Sequence, residues 1–444
     1  MATPYTTPPG MALSPRTVTA FAIGVGPVAI LGLPFSVYLP PYISEGGVIA
    51  VGLVGLMFSL STLWDGVIDP AIGTFIDRST ARGTTHRAWM WRAALPLALL
   101  LVVLVLAGDT FPLWLLLPVL LLFYSSFSLY DVAYLSWGSG LATTSDASSR
   151  LFGAREWTSK LFLVVAFAVP AAAQAMIPGL SLQGRIIAYA SLVALALPMA
   201  LIATTRLPAA PPQPALRIDW RRELAATLRF PPLLLIFAIQ FCNSFAFGTL
   251  TSLFVFFADG VLGLDDQSSL LLFATFVGGA LSTPLWTIVA RRWGKRRGMI
   301  AMELFVAAIL SASLFARPDG LWQALGFTLL LGSGFVGLLF IYGMISDLAP
   351  YDAARCGRDR TAFLFAITML MQKIGVASAI ALSYALLDAG GFDAKDAAAS
   401  ANLIHWLFSG LPTLGWLAVA ALLVLLIRCW PRDAAPQPPL ATSP

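Results

Sequence analysis

The feature that most constrains this chain is a series of twelve apolar stretches, each close to the length a helix needs to cross a bilayer. They lie near 17–39, 48–71, 89–107, 112–137, 157–177 and 186–204, then 232–257, 268–290, 299–316, 321–345, 362–387 and 406–428. A hydrocarbon core about 30 Å thick takes roughly 20 apolar residues of α-helix. The stretches are continuously apolar and do not alternate with polar residues, which excludes a transmembrane β-barrel. Composition agrees: 58% of the residues are hydrophobic and only 11% are charged, against about a quarter in soluble domains. A soluble fold has nowhere to put that much apolar surface. The sequence therefore predicts an all-α membrane protein with twelve transmembrane helices.

The basic residues give the chain an orientation. Arg16 precedes span one, Arg78, Arg82, Arg87 and Arg92 follow span two, and Arg150, Arg155 and Lys160 follow span four. Arg206, Arg217, Arg221, Arg222 and Arg229 lie between spans six and seven. Arg291, Arg292, Lys295, Arg296 and Arg297 follow span eight; Arg355, Arg358 and Arg360 follow span ten; Arg428 and Arg432 close the chain. That places 23 of the 27 Lys and Arg residues on one side. Arg185, Arg317 and Lys395 fall in the alternate loops, and Lys373 inside a span. The positive-inside rule then predicts a multi-pass cell-membrane protein, of the inner membrane if bacterial, with both termini cytoplasmic. A missed span would have switched the charge to the other side midway, so count and orientation support each other. These loops account for the net charge of +5 without any nucleic-acid partner.

The longest polar interruption, 205–231, divides the spans six and six. The expected organisation is a flexible tail over 1–16, a six-helix bundle over 17–204, a cytoplasmic linker over 205–231, a second bundle over 232–428 and a flexible tail over 429–444. A weak internal echo relates the halves: Pro70 and Pro284 each stand near the end of a span and each precede an arginine, Arg78 or Arg292, by eight residues. Two six-helix, pseudo-symmetric halves are the architecture of the major facilitator superfamily. The run from Gly73 through Asp77 and Arg78 resembles that superfamily's signature between helices two and three, as a cytoplasmic gate or simply as a charged hinge. Gly24, Gly26, Pro27, Gly32, Pro34, Pro40 and Pro41 interrupt span one. Either the span bends along a substrate path or these residues reflect the tolerance of membrane helices for glycine and proline.

Four ionisable residues sit inside spans: Asp65 and Asp69 in span two, Asp131 in span four and Lys373 in span eleven. Each costs roughly 2.5–3.5 kcal/mol near the bilayer centre, so such residues are functional by default. Asp65 and Asp69 are four apart and share a helix face, where two carboxylates repel unless a cation or proton visits. Fully ionised, the three aspartates and one lysine carry −2, which leaves room for one monovalent cation or a proton. The alternative is a permanent ion-pair cluster that fixes helix packing. Aligning the halves on Pro70 and Pro284 sets Asp65 against Gly279 and Asp69 against Thr283, so the cation site should belong to the first half. Lys373 comes from the second half and could sense whether the aspartates are neutralised. Glu156, Glu303 and Asp347 lie nearer the membrane faces and are expected to be solvated.

Taken together, these residues resemble the glycoside–pentoside–hexuronide:cation symporters. Trp64-Asp65-Gly-Val-Ile-Asp69-Pro70 with Gly73, Asp77 and Arg78 is similar to the family's helix two; Ser128, Asp131 and Ser136 to its helix four; Ser145, Asp146, Arg150 and Arg155 to the following loop; Asp347, Tyr351 and Asp352 to the end of helix ten; Lys373-Ile-Gly375 to helix eleven. The resemblance implies that Asp65, Asp69 and Ser128 bind Na⁺, Li⁺ or H⁺, that Asp131 and Arg155 serve substrate binding or its coupling, and that Lys373 links the two sites. Departures are specific. Where the family's sugar permeases carry a helix-one aspartate, a helix-four tryptophan, a helix-ten aromatic and an asparagine before the second helix-two aspartate, this chain has Ala29, Leu135, Leu338 and Ile68. The coupling apparatus looks kept and the sugar pocket rebuilt.

An enzyme is not expected. His86 and His405 have no metal-ligand spacing, and the sequence contains no nucleophile elbow or phosphate-binding GxxxxGK[ST] loop. Gly332-Ser333-Gly334 reads as close helix packing. Cys242, Cys356 and Cys429 form no disulfide framework. The expected function is a monomeric secondary symporter, working by alternating access, with no cofactor beyond its coupling ion, Na⁺ or H⁺. Its leading substrate is a sugar, glycoside or uronic acid. A lysophospholipid-like amphiphile is the alternative substrate, and a non-transporting receptor or scaffold the alternative class.

Overall fold

A computed structural model describes residues 14–45, 49–107, 112–141, 145–208, 220–264, 267–357, 360–392 and 399–431. The ends of both expected tails, residues 209–219 of the linker and Lys395 lie outside the described residues. Among the described residues, twelve helices are long and apolar enough to cross a membrane. In order they are Pro15–Ser44, Val51–Ala81, His86–Leu106, Trp114–Leu141, Arg150–Met176, Leu182–Thr204, Pro231–Gly260, Ser268–Trp293, Lys295–Phe315, Gly320–Cys356, Phe363–Ala389 and Ala401–Cys429. Each predicted stretch coincides with one, but many helices run further than the apolar residues do. Asp77 and Arg78 stand on the last turns of span two, and Arg150, Arg155 and Lys160 on the first turns of span five, not in loops as expected. Arginine, lysine and alanine are strong helix formers, so the helix continues where hydrophobicity stops.

The chain divides into two compact units. One comprises Met1–Leu216 with Asp265–Phe273 and Gly391–Asp396 and holds the first six spans; the other comprises Arg217–Leu264, Ala274–Gly390 and Ala397–Pro444.

In the first unit, span one is three helical pieces, Pro15–Ile23, Gly26–Leu31 and Leu33–Glu45. Pro27 has no N–H to give and tightens the chain before it. Around Gly24 the bonding switches to the i→i−3 pattern, with Gly24 N donating to the Phe21 carbonyl at 2.9 Å and Val25 N to that of Ala22 at 3.3 Å. Three tyrosine hydroxyls bond carbonyls at these breaks. The Tyr134 hydroxyl donates to Phe21 O (2.8 Å), Tyr130 to Gly24 O (3.2 Å) and Tyr189 to Ile30 O (2.9 Å). The Phe21 ring stacks on Tyr134 with centroids 4.5 Å apart. A Cβ at Gly24 would lie 2.7 Å from the Tyr134 ring, and one at Gly138 would overlap Phe21, so spans one and four meet through glycine. Span one is thus interrupted where its glycines and prolines fall.

In the second unit, span ten is interrupted in the same spirit: helix Gly320–Leu331 passes into a 3₁₀ turn, Gly332–Val336, before helix Gly337–Cys356. Gly332 lies directly on the backbone of Thr275 and Gly279, and Gly278 on that of Leu329, so the glycine run packs spans eight and ten backbone to backbone. Span seven is held similarly against its neighbours. A Cβ at Gly375 would sit 2.6 Å from Phe241 O, and one at Gly248 3.0 Å from Val376 Cα. Gly357, in the left-handed region at φ 69°, ends span ten by returning its N–H to the Ala353 carbonyl.

One expectation is corrected here. Glu303 is not solvated; it is fully buried, and among the described residues neither carboxyl oxygen has a hydrogen-bond partner. It lies on the row with Met299, Val306 and Leu310 that span nine buries, so its place on the helix face overrides its nearness to a helix end. Within the 205–231 linker, Trp220–Leu228 is a helix belonging to the second unit.

Candidate functional site

Span two brings Asp65 to the interior of the first unit. Its neighbours Ser61, Gly66 and Ile68 mark the packed side of the helix, while Trp64 and Val67 face outward. Asp65 is buried at 6% exposure, and its Oδ1 accepts a hydrogen bond from the Ser128 hydroxyl of span four. A hydroxyl to a carboxylate is a charge-assisted bond and among the stronger ones available in a low-dielectric interior. A second bond pins the same two helices one residue away: Trp64 Nε1 donates to Ser125 Oγ at 2.9 Å. Asp69, half-buried, stands one turn further along span two on the Asp65 face. Two carboxylates and a hydroxyl are all hard oxygen ligands, suited to Na⁺, Li⁺ or a proton rather than to a soft transition metal. Among the described residues no group of three or more His, Cys, Asp or Glu gathers as a metal cluster.

One turn beyond Ser128, Asp131 pairs with Arg155 of span five, Oδ1 to Nη2 at 3.9 Å, with both side chains about one-fifth to one-quarter exposed (25% and 19%). Arg155 also lies 3.7 Å from Glu156 and passes over the Tyr134 ring at 5.8 Å. Tyr134 is the residue whose hydroxyl holds the Phe21 carbonyl at the break in span one. The charged pair and the broken helix thus share one tyrosine. Asp65, Ser128, Asp131 and Arg155, singled out separately in the sequence, belong to one interhelical region of the first unit.

The remaining predicted residues stand elsewhere. Asp77 is half-buried and Arg78 exposed near the end of span two, and neither forms an ion pair among the described residues. Lys373 is half-buried on span eleven in the second unit, two residues before Gly375 and its close crossing with span seven. Sequence reasoning missed three features. Tyr130 and Tyr134 read as ordinary aromatics in an apolar run. A buried amide row on span seven, Gln240 and Asn243 with Ser244, carries no charge to attract notice; Gln240 Nε2 donates to Ser244 Oγ at 2.7 Å, and Asn243 packs against Gly337. Arg360, counted as a solvated loop residue, is buried at 4% exposure in an ion-pair network. Only spacing was available as a signal for the amide row, at i, i+3 and i+4.

Comparison with known proteins adds the following. The family described as MFS/sugar transport protein matches residues 20–430. A protein named as an uncharacterized symporter, from Synechocystis sp., is 28% identical over 173 residues, which are 36% of this chain and 30% of that protein's length. Among solved structures, a mutant of the nucleoside transporter NupG superposes with a TM-score of 0.68 at 14% identity, over 92% of this chain and 99% of that one. The E. coli fucose:proton symporter FucP superposes with a TM-score of 0.54 at 15% identity, over 92% and 98%. At such identities these likenesses establish the twelve-helix fold alone.

Proposed function

Because the chain belongs to the MFS/sugar transport protein family, we propose that it is a cation-coupled secondary symporter that works by alternating access. It carries a sugar, glycoside or uronic acid together with Na⁺ or H⁺. The observation that carries this reading is the buried Asp65 carboxylate held by the Ser128 hydroxyl, with Asp69 on the same face one turn away. The arrangement supports a site for one small cation, because a buried carboxylate pair is costly unless a positive charge or a proton joins it. Asp131 with Arg155 serves the substrate side, and the contact of Arg155 with Tyr134 gives substrate binding a route to the break in span one. Lys373 reports on the charge state of the aspartates from the second unit. The resemblance to the glycoside–pentoside–hexuronide:cation symporters supports the same roles, as do the family's description as sugar transport and the relative named as a symporter. Both termini are cytoplasmic on this reading, and Asp77 and Arg78 act near the cytoplasmic mouth.

A lysophospholipid-like amphiphile is the second candidate substrate. Leu135, where the sugar permeases have a stacking tryptophan, packs at the margin of the apolar cluster around Tyr134 and Trp137, and Leu338 is half-buried. Leucine at each of these positions suits an acyl chain better than a sugar face. Uptake by vesicles carrying the protein separates the two. Sugars, uronates and lysophospholipids are offered in turn with and without an Na⁺ or pH gradient. Concentration of a sugar or uronate supports the leading reading, and concentration of a lysophospholipid alone replaces its substrate class.

A further inference from the structure

Helix Trp220–Leu228 has its amphipathic faces reversed. A nine-residue surface helix ordinarily buries its leucines and exposes its acid. Here Glu223 and Thr227 are buried, at 8% and 2% exposure, while Leu224 and Leu228 stand 50% and 59% exposed. The polar face is turned inward by Arg360. Its Nε donates to Glu223 Oε2 at 2.6 Å, its Nη2 to Glu223 O at 2.8 Å and to Thr227 Oγ1 at 2.5 Å, and its Nη1 to Asp352 Oδ2 at 3.1 Å. Arg355 adds a bond to Ala226 O at 2.8 Å and lies over the Phe230 ring at 4.3 Å. The helix is therefore clamped to spans ten and eleven through its polar side, with an apolar row facing away from the protein.

The medium that row faces follows from the chain itself. Only Arg229 and Phe230 separate the helix from span seven, which begins at Pro231. Phe230 is extended, at φ −129° and ψ 91°, so the chain turns there instead of running straight on. The helix must consequently lie at the membrane surface. Arg222 and Arg229 are exposed beside the leucines, on the side of the protein that collects its basic residues. Apolar residues to one flank and arginines to the other are the distribution of a helix lying in the plane of an anionic interface.

We propose that Trp220–Leu228 is an interfacial helix that seats Leu224 and Leu228 in the acyl margin of the bilayer and Arg222 and Arg229 against anionic phospholipid headgroups. Because Arg360 fixes it to the second unit, the lipid charge of that leaflet bears directly on that unit. The proposal is independent of the substrate and of the coupling ion.

The test uses the full-length protein with Cys242→Ala, Cys356→Ser and Cys429→Ser, carrying a single fluorophore at Leu224→Cys, Leu228→Cys or Arg222→Cys. It is reconstituted in phosphatidylcholine vesicles with or without phosphatidylglycerol, using acyl chains brominated near the headgroup end. Labels at 224 and 228 should lose most of their fluorescence to the bromine, and the label at 222 much less. Phosphatidylglycerol should deepen the quenching at 224 and 228, and Arg222→Gln with Arg229→Gln should abolish that dependence. Labels at 224 and 228 that stay unquenched and water-accessible would overturn the proposal. Quenching indifferent to phosphatidylglycerol would overturn the headgroup assignment. A variant unable to fold would not reach the vesicles as a monodisperse species, so its failure is distinguishable from either result.

Discussion

At Asp65 the question is what makes a carboxylate tolerable in the interior of a span. The fold supplies the Ser128 hydroxyl, and Asp69 stands one turn away on the same face. Asp69→Asn keeps the side chain's size and removes one charge. Concentrative uptake should collapse in that variant while downhill exchange survives, which accumulation and exchange assays distinguish. Lys373→Ala should disturb transport and cation dependence together, and Asp131→Asn in the same protein tests whether the two residues act on one another. Additive effects in that double-mutant cycle would show the two residues to act independently. Arg360 offers a purely structural counterpart. Arg360→Met removes the guanidinium that pairs with Asp352 and Glu223, whose side chains are 0% and 10% exposed. That should cost about 3–5 kcal/mol, read as a lower melting temperature. The aspartates and Lys373 were legible in the sequence because charge is conspicuous within an apolar run. Arg360 and Glu303 were not, since their burial depends on which helix face meets which neighbour.

Among the elements, the two interrupted spans tell complementary stories. Span one breaks at Gly24, and its freed carbonyls are met by hydroxyls from other helices, which is the condition for irregular backbone at membrane depth. Tyr134→Phe retains the ring stacked on Phe21 and removes the hydroxyl that bonds the Phe21 carbonyl. A loss of about 1 kcal/mol is expected for one such bond, measurable by unfolding in detergent. Span ten instead breaks where Gly332 needs room for another backbone, so Gly332→Leu should be far more damaging, by about 3 kcal/mol or more through overpacking. The glycine and proline positions of span one announced its interruption, and the Gly332-Ser333-Gly334 run announced close packing. Nothing in local sequence announced the tyrosine donors, because a hydroxyl's partner lies on another helix. The short helix within the linker went unread for a related reason: it is only nine residues long, and which of its faces is buried depends on Arg360.

For the whole molecule, the twelve spans and their division six and six were legible because the bilayer imposes a length on every helix that crosses it. Helix ends were not, since charged residues extend helices beyond the apolar core. Orientation rests on 23 basic residues sharing one side. A cysteine introduced as Lys395→Cys should be labelled from outside and one introduced as Arg221→Cys should not; the reverse pattern would invert the protein. Whether the chain couples a cation to its substrate is tested most directly in proteoliposomes under an imposed Na⁺ or pH gradient. Uptake of radiolabelled sugars, uronates and lysophospholipids is followed for the parent, Asp65→Asn and Asp69→Asn. The account predicts that the parent concentrates at least one of these above equilibrium only when a gradient is present, and that both variants bring it to equilibrium and no further. Gradient-driven accumulation in both variants equal to the parent's would contradict it.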